Sequence, residues 1–273
     1  MLDAVTHCHI EFDWEPGICT SVTRPFCSFT EIEQTIIDNE VEKFLLKGII
    51  RLSSHEDGHV ISPIFIRRKK YGSHRVIFNL KKLNESVTYH HFKMDTLETA
   101  IRLMRPGCYM TSIDLKDAYY SIPIAEEHQK YLKFIWRDQL YAFTSLPMGL
   151  TSSPRFFTKV LKPVFSYLRS QFGHTCLGYI DDSFYLEDSY TECEEATLRA
   201  IQLFVSLGFK IHPEKSVIIP TQILEFLGFI LNSILMLVTL TNKKAVKILQ
   251  LCQSSLFQIN GLLFVKLHLF LGP

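Results

Sequence analysis

The chain has 273 residues, 47% hydrophobic and 21% charged, which supplies material for a large core and excludes a disordered or low-complexity protein. A formal net charge of +1 excludes a uniformly basic or acidic protein, so a polyanion partner would have to be met by a local cluster. Seven cysteines, odd in number, scattered and without a CxxC pair, fit reduced thiols inside the cell, in cytoplasm and/or nucleus, better than a disulfide framework. His7, Cys8 and His9 with Cys19 and Cys27 match no standard zinc spacing. No signal peptide opens the chain, and no membrane partner is expected.

Residues 1–28 hold Pro16, Gly17 and Pro25 without a clear period and read as an irregular lead-in. Thr30-Glu31-Ile32-Glu33 has the form of a capping box. Ile32, Ile36, Ile37, Val41, Phe44 and Leu45 follow at helical spacing as far as Gly48, so an amphipathic helix is expected. From Ile61 to Asn84 two β-rich runs flank Tyr71-Gly72-Ser73, a hairpin signal. Arg67 to Lys82 contains seven Lys or Arg residues and no acid. Such a cluster is the footprint of a polyanion partner, the alternative being a solvated basic hairpin. Arg75, at the start of the return strand, is placed to grip phosphate oxygens with its planar guanidinium.

Asp95, with Glu98 three residues on, reads as the N-cap of a helix through Leu97, Ile101, Leu103 and Met104, ended by Pro106-Gly107. Cys108 to Leu115 reads as a strand. An acid near its end, Asp114, is costly unless it faces a cleft or a metal. Asp117 reads as a helix-start residue ahead of a catalytic one. Tyr131–Trp136 and Leu140–Thr144 form a hairpin pattern around Arg137-Asp138-Gln139. Leu146-Pro147-Met148-Gly149-Leu150 pairs a rigid Pro with a Gly that lets backbone approach a ligand. A helix from about Arg155 to Arg169 is expected to bury Phe156, Phe157, Val160, Leu161 and Val164.

Leu177 to Leu186 then reads as strand, turn and strand, with Asp181 and Asp182 at the turn. Adjacent carboxylates raise each other's pKa unless a cation lies between them, and Mg²⁺ suits such oxygens. A solvated acidic turn is the alternative. Thr191 to Leu207 reads as an amphipathic helix closed by Gly208, with Lys215 in a loop beyond. Leu224 to Ile230 is strand-like, and the apolar run from Phe226 to Leu240 is expected to form buried strands. A weakly helical segment follows from Lys243. Three aspartates in two places suit two divalent ions in an in-line phosphoryl displacement, and a basic hairpin could hold a triphosphate. Together these features suggest nucleotidyl transfer to a nucleic-acid end.

The chain resembles the reverse transcriptases, and most closely those of DIRS-type, tyrosine-recombinase retrotransposons. The resemblance runs from about Val41 to Leu240. It is carried by Ser112–Tyr119, Leu146–Leu150, Tyr179-Ile180-Asp181-Asp182, Leu207-Gly208-Phe209 through Lys215, and Phe226–Phe229. Phe156–Pro163 and Glu214-Lys215-Ser216 draw it toward the DIRS type. The resemblance implies an α+β right-hand polymerase fold. Its parts would be fingers at 29–107, palm at 108–125 and 149–225 around a connection at 126–148, a primer-grip hairpin at 226–240 and the start of a thumb at 241–273.

By the same resemblance, Asp114, Asp181 and Asp182 match the palm carboxylates that hold two Mg²⁺ ions, with Mn²⁺ as a substitute. Lys215 matches the lysine that protonates the departing pyrophosphate, a plain surface lysine being the alternative. Arg75 matches the fingers arginine on the triphosphate, and Arg68 or Lys69 its lysine partner. Leu115 and Met148 fall in the dNTP site, and Tyr119 matches the steric gate against a 2′-hydroxyl. Phe226, Leu227, Gly228 and Phe229 match the primer grip. Implied partners are an RNA or DNA template with primer, dNTPs, and other domains of a longer polyprotein such as ribonuclease H and recombinase. Met148 departs from the retroviral pattern, which has Gln there. The C-terminal part is short, which reads as a fragment or a decayed element. The rivals are a silent derivative that only binds nucleic acid and a DNA-templated polymerase.

Overall fold

The structure, a computed structural model, describes residues 9–15, 28–68 and 74–258. Lys69 and the zinc candidates His7, Cys8, Cys19 and Cys27 lie outside the described residues. Helix α1 (Glu31–Leu46) starts as expected: Thr30 Oγ1 accepts the Glu33 N–H, and the Glu33 carboxylate accepts the Thr30 N–H. Its buried stripe is narrower than the spacing implied. Ile37, Val41 and Phe44 are buried at i, i+4 and i+7, whereas Ile32 and Leu45 lie off that line and are exposed.

Strand β1 (Ile50–Leu52) precedes the basic hairpin of β2 (Ile64–Arg68) and β3 (His74–Phe78). The one-turn α2 (Lys81–Asn84), α3 (Leu97–Leu103) and β4 (Tyr109–Lys116) follow, then a 3-10 turn (Ala118–Ser121) and short α4 (Glu126–Gln129). The next hairpin is β5 (Lys133–Trp136) and β6 (Gln139–Phe143), leading to the long α5 (Ser153–Phe172). The acidic hairpin is β7 (Thr175–Tyr179) and β8 (Asp182–Glu187), followed by α6 (Tyr190–Ser206), β9 (Lys210–Ile211) and β10 (Val217–Thr221). Three short strands, β11 (Ile223–Phe226), β12 (Phe229–Asn232) and β13 (Leu237–Leu240), lead into α7 (Asn242–Gln258).

The central sheet has the order β10-β4-β8-β7, with β9 also on β4, all pairs antiparallel. Side chains alternate across its faces. Ile113 and Leu115 of β4 and Tyr185 of β8 join the larger core with Phe157 and Val164 of α5 and Phe204 of α6. Met110 of β4 and Phe184 and Leu186 of β8 point the other way, into a second core with Ala100, Leu224 and Phe226. Asp114 and Asp182 share the parity of that second set. They stand on the face opposite α5 and α6, beyond the point where its apolar packing ends.

Two expectations are corrected. The α3 N-cap is Thr96, whose hydroxyl accepts the Thr99 N–H, while the Thr99 hydroxyl accepts the Thr96 N–H. The hydroxyl pair one residue on closes the turn, which frees the Asp95 carboxylate to accept a backbone N–H from β7. The run from Phe226 to Leu240 is not uniformly buried: Ile234, Leu235, Met236 and Leu237 are exposed. Leu227 and Gly228, at φ of 50° and 77°, break the expected single strand into β11 and β12 and carry the far end of the meander away from the core. Among the described residues no helix is long and apolar enough to cross a membrane.

Candidate active site

Asp114 on β4 lies opposite Asp182 on β8, and Asp181 belongs to the β7–β8 turn. The Leu115 N–H donates to the Asp181 carbonyl at 2.8 Å, so the turn is tied to β4 beside Asp114. Ile180, at the turn, has φ of 56°, a conformation that costs a β-branched residue about 1–3 kcal/mol. The three acids therefore occupy fixed backbone positions. Asp114 is only 8% exposed.

The electrostatics are those of crowded carboxylates. Burial raises the Asp182 carboxyl to about 6, with the charges of Asp181 and Asp114 adding to the effect. Asp181 is raised by burial, with Asp114 contributing and Lys215 opposing. The Lys215 ammonium lies 3.3 Å from one Asp114 oxygen and 3.5 Å from the other. Among the described residues no three His, Cys, Asp or Glu side chains are spaced to hold a metal ion unaided. The donor chemistry nonetheless fits Mg²⁺, which takes one or two carboxylates and completes its shell with water and substrate phosphate.

Tyr119 sits in the 3-10 turn after β4, its ring edge-on to Phe157 with centroids 5.5 Å apart. Burial, with the charges of Asp181 and Tyr179, pushes its phenol up to about 12, so it stays neutral. The ring is packed against the larger core and lies beside the acids. Leu115 is buried in the larger core and meets the site through its backbone only. Asp117 does precede the 3-10 turn, in a left-handed conformation, but its side chain caps nothing and pairs instead with Lys47 of the α1 C-terminus.

Arg75 lies one residue into β3, its guanidinium 2.7 Å from the Met148 sulfur. Both line a cavity of about 570 Å³ with Glu40, Lys43, Asp117 and Tyr120. Arg67 is directly opposite Arg75 in the ladder, an arrangement of like charges that destabilises a bare hairpin. Among the described residues neither of them, nor Arg68, has a carboxylate partner. Unpaired cations along one ribbon favour a polyanion partner over the solvated reading.

Among the described residues the outer edge of β7 has no strand neighbour, and two side chains occupy it. The Asp95 carboxylate accepts the Gly178 N–H at 3.2 Å, and Arg169 donates to the Cys176 carbonyl at 3.0 Å. Both hold the strand that presents Asp181, a role for Asp95 that helix-cap reasoning hid. At the β11–β12 turn, Phe226 is buried, Lys244 donates to the Leu227 carbonyl, and its ammonium stands 3.6 Å over the Phe229 ring.

Residues 66–231 match the family described as reverse transcriptase (RNA-dependent DNA polymerase). The retrovirus-related Pol polyprotein from transposon gypsy of Drosophila melanogaster is 26% identical over 202 residues, covering 72% of this chain and 19% of that polyprotein. The Gag-Pol polyprotein of Rous sarcoma virus subgroup C (strain Prague) is 28% identical over 241 residues, covering 85% of this chain and 15% of that one. The chain thus spans a small part of the length of these relatives. Among solved structures, the foamy viral protease-reverse transcriptase in complex with dsDNA superposes with a TM-score of 0.71 at 21% identity, over 92% of this chain and 53% of that one. The same protein in complex with an RNA/DNA hybrid gives 0.70 at 21% identity, over 89% and 33%. These likenesses establish the right-hand polymerase fold of fingers and palm.

Proposed function

The chain belongs to the reverse transcriptase (RNA-dependent DNA polymerase) family, and on that premise we propose that it extends a primer 3′-hydroxyl with dNTPs along an RNA template. The observation that carries this reading is the convergence of three acids at one end of the central sheet, Asp114 and Asp182 paired across β4 and β8 and Asp181 in the turn tied to β4. Asp114 and Asp181 would hold two Mg²⁺ ions, or Mn²⁺, with Asp182 beside them. Bound there, the ions would neutralise charge on the attacking and leaving oxygens. Arg75 grips the triphosphate from the fingers side, supported by Arg68 or Lys69. Lys215, held beside Asp114, is placed to give a proton to the leaving pyrophosphate. Phe226 to Phe229 form the primer-grip turn.

Residues 29–107 are proposed as fingers, 108–125 and 149–225 as palm, with 126–148 between them, 226–240 as the primer-grip hairpin and 241–273 as thumb. The relatives are parts of Pol polyproteins, so further domains such as ribonuclease H are proposed partners. Phe156–Pro163 and Glu214-Lys215-Ser216 support a DIRS-type element, acting in cytoplasm or nucleus.

Arg75→Ala is expected to raise the KM for dNTP roughly 10- to 100-fold, the cost of one charge-assisted contact, with little change in primer–template binding. Tyr119→Val is expected to open space beneath the sugar. Discrimination against ribonucleotides would fall by roughly 10- to 100-fold in competition between dNTP and NTP, since a shape-based sieve is of that order.

The deciding experiment is dNTP incorporation on an RNA template with a DNA primer in Mg²⁺, with Asp181→Asn, Asp182→Asn as control. Incorporation that disappears in the control supports the polymerase. Primer–template binding without incorporation would instead identify a silent binder. Extension of DNA templates alone would identify a DNA-templated enzyme.

A further inference from the structure

On one side Asp114 is held by its register with Asp182; on the other, the strand that should pair with it is interrupted. Ile211 of β9 faces Leu115 and Val217 of β10 faces Ser112, so five residues, 212–216, stand against only Ile113 and Asp114. A chain that loops out in this way withdraws its own carbonyls from the ladder. The Asp114 N–H, buried and pointing away from β8, would then be without a partner, a costly state for a backbone donor.

Ser216 fills the gap. Its hydroxyl oxygen accepts the Asp114 N–H at 3.0 Å and donates its own proton to the His212 carbonyl at 2.8 Å. The His212 N–H returns to the Asp114 carbonyl at 2.8 Å, closing a ring that holds both backbone polar groups of Asp114. The His212 carbonyl also accepts the backbone N–H groups of Lys215, at 3.3 Å, and Ser216, at 3.1 Å, so the same turn sets where Lys215 begins. Only a side chain that accepts and donates at once can complete this ring, and a hydroxyl is the smallest that does.

We infer that Ser216 is a positioning residue, whose hydroxyl replaces the missing strand at Asp114 and fixes the direction from which that carboxylate meets a divalent cation. The inference rests on the polymerase reading of the site and deepens it. Groups that orient a metal ligand without touching the metal contribute strongly to affinity, because a ligand free to rock must be ordered on binding. Ser216→Thr keeps a hydroxyl that can close the same ring on this half-buried turn. Alanine would leave the Asp114 N–H and the turn unlinked, and cysteine would keep the volume with a poor acceptor.

The test uses the full chain and its Ser216→Ala, Ser216→Thr and Ser216→Cys variants. Mn²⁺ binding is read by electron paramagnetic resonance without nucleic acid or nucleotide. The Mg²⁺ concentration for half-maximal dNTP incorporation is read on an RNA template, and amide exchange is read for the peptide containing Asp114. Ser216→Ala is expected to weaken Mn²⁺ binding and raise the Mg²⁺ requirement about 10-fold or more, with faster exchange at Asp114. Ser216→Thr is expected to match the parent.

Unchanged Mn²⁺ affinity and Mg²⁺ requirement in a folded Ser216→Ala protein would overturn the inference. Should that variant not fold, the comparison of the threonine and cysteine variants decides. A parent-like threonine variant with a weakened cysteine variant supports the hydroxyl, and a cysteine variant equal to the parent overturns it. A parent that binds Mn²⁺ but incorporates nothing would refute the polymerase reading instead. In that case the Mn²⁺ and exchange data still report on Ser216.

Discussion

Asp181→Asn combined with Asp182→Asn is expected to lower dNTP incorporation about 10³-fold or more, since loss of metal-borne charge stabilisation removes several kcal/mol from the transition state. The same pair of changes is expected to make the metal-free protein more stable. Asp182 is raised from 3.8 to about 6, first by burial and then by its acidic neighbours. Between about pH 4 and 6 the folded chain therefore keeps a proton that the unfolded chain has lost. Stability from this group is present at the acid side, declines as pH rises through that window, and remains lower at pH 7. Asparagine removes the charge and its cost. Discounted for solvent screening in a partly open site, the gain is about 1 kcal/mol, or a melting temperature higher by about 2–4 °C.

Thermal denaturation in chelator at pH 7 reads that gain, and it should shrink at pH 4. Added Mg²⁺ should raise the parent's melting temperature and leave the double variant unmoved. Opposite signs in activity and stability distinguish acids held together for a cation from acids that only terminate strands. A variant that melts below the parent at pH 7 would show that the carboxylates serve the fold.

Gly178→Ala is expected to damage the same hairpin by a route that no charge change can mimic. A Cβ at Gly178 would fall well inside contact distance of the Phe165 ring. Phe165 is 5% exposed and packs edge-on to Phe204 with centroids 6.1 Å apart, and it also lines a cavity of about 150 Å³ beside Gly178. Either the ring tips into that cavity and gives up its packing on Phe204, or the strand moves. Moving it stretches the Asp95 bond to the Gly178 N–H and shifts the turn that carries Asp181. Overpacking of this kind costs about 1–3 kcal/mol, a fall in melting temperature of roughly 3–10 °C. Incorporation is expected to drop roughly tenfold, because catalytic constellations tolerate little displacement. Phe165→Leu in the same chain should recover part of both losses. Failure of the second change to recover either would mean that the ring is not the obstacle.

How much of this was legible beforehand varies by element. The capping box at Thr30, the acidic hairpin and the strand ending near Asp114 were readable because each depends on neighbours within a few residues. The basic hairpin was readable as a charge pattern, and its two strands are where the β-rich runs placed them. The α3 cap was misplaced by one residue, because Thr and Asp are both good caps and local preference does not choose between them. The meander after Phe226 was misjudged because hydrophobicity records what a residue tolerates. The positive φ at Leu227 and Gly228 decides where the strands then go.

Residue types and their order in the chain, then, determined the family and the polymerase fold, and they supplied Asp114, Asp181 and Asp182 as the candidate acids. Tertiary structure alone decided that Asp114 and Asp182 face each other, that Asp95 serves the β7 edge, that Lys47 meets Asp117, and that Ser216 stands in for a strand. The reason is physical. Turn, cap and alternation signals arise from local sterics and hydrogen bonding over a few residues. By contrast, Ser216 and Asp114 are 102 residues apart, and that pairing exists only because the ladder on β4 is interrupted where the two segments meet.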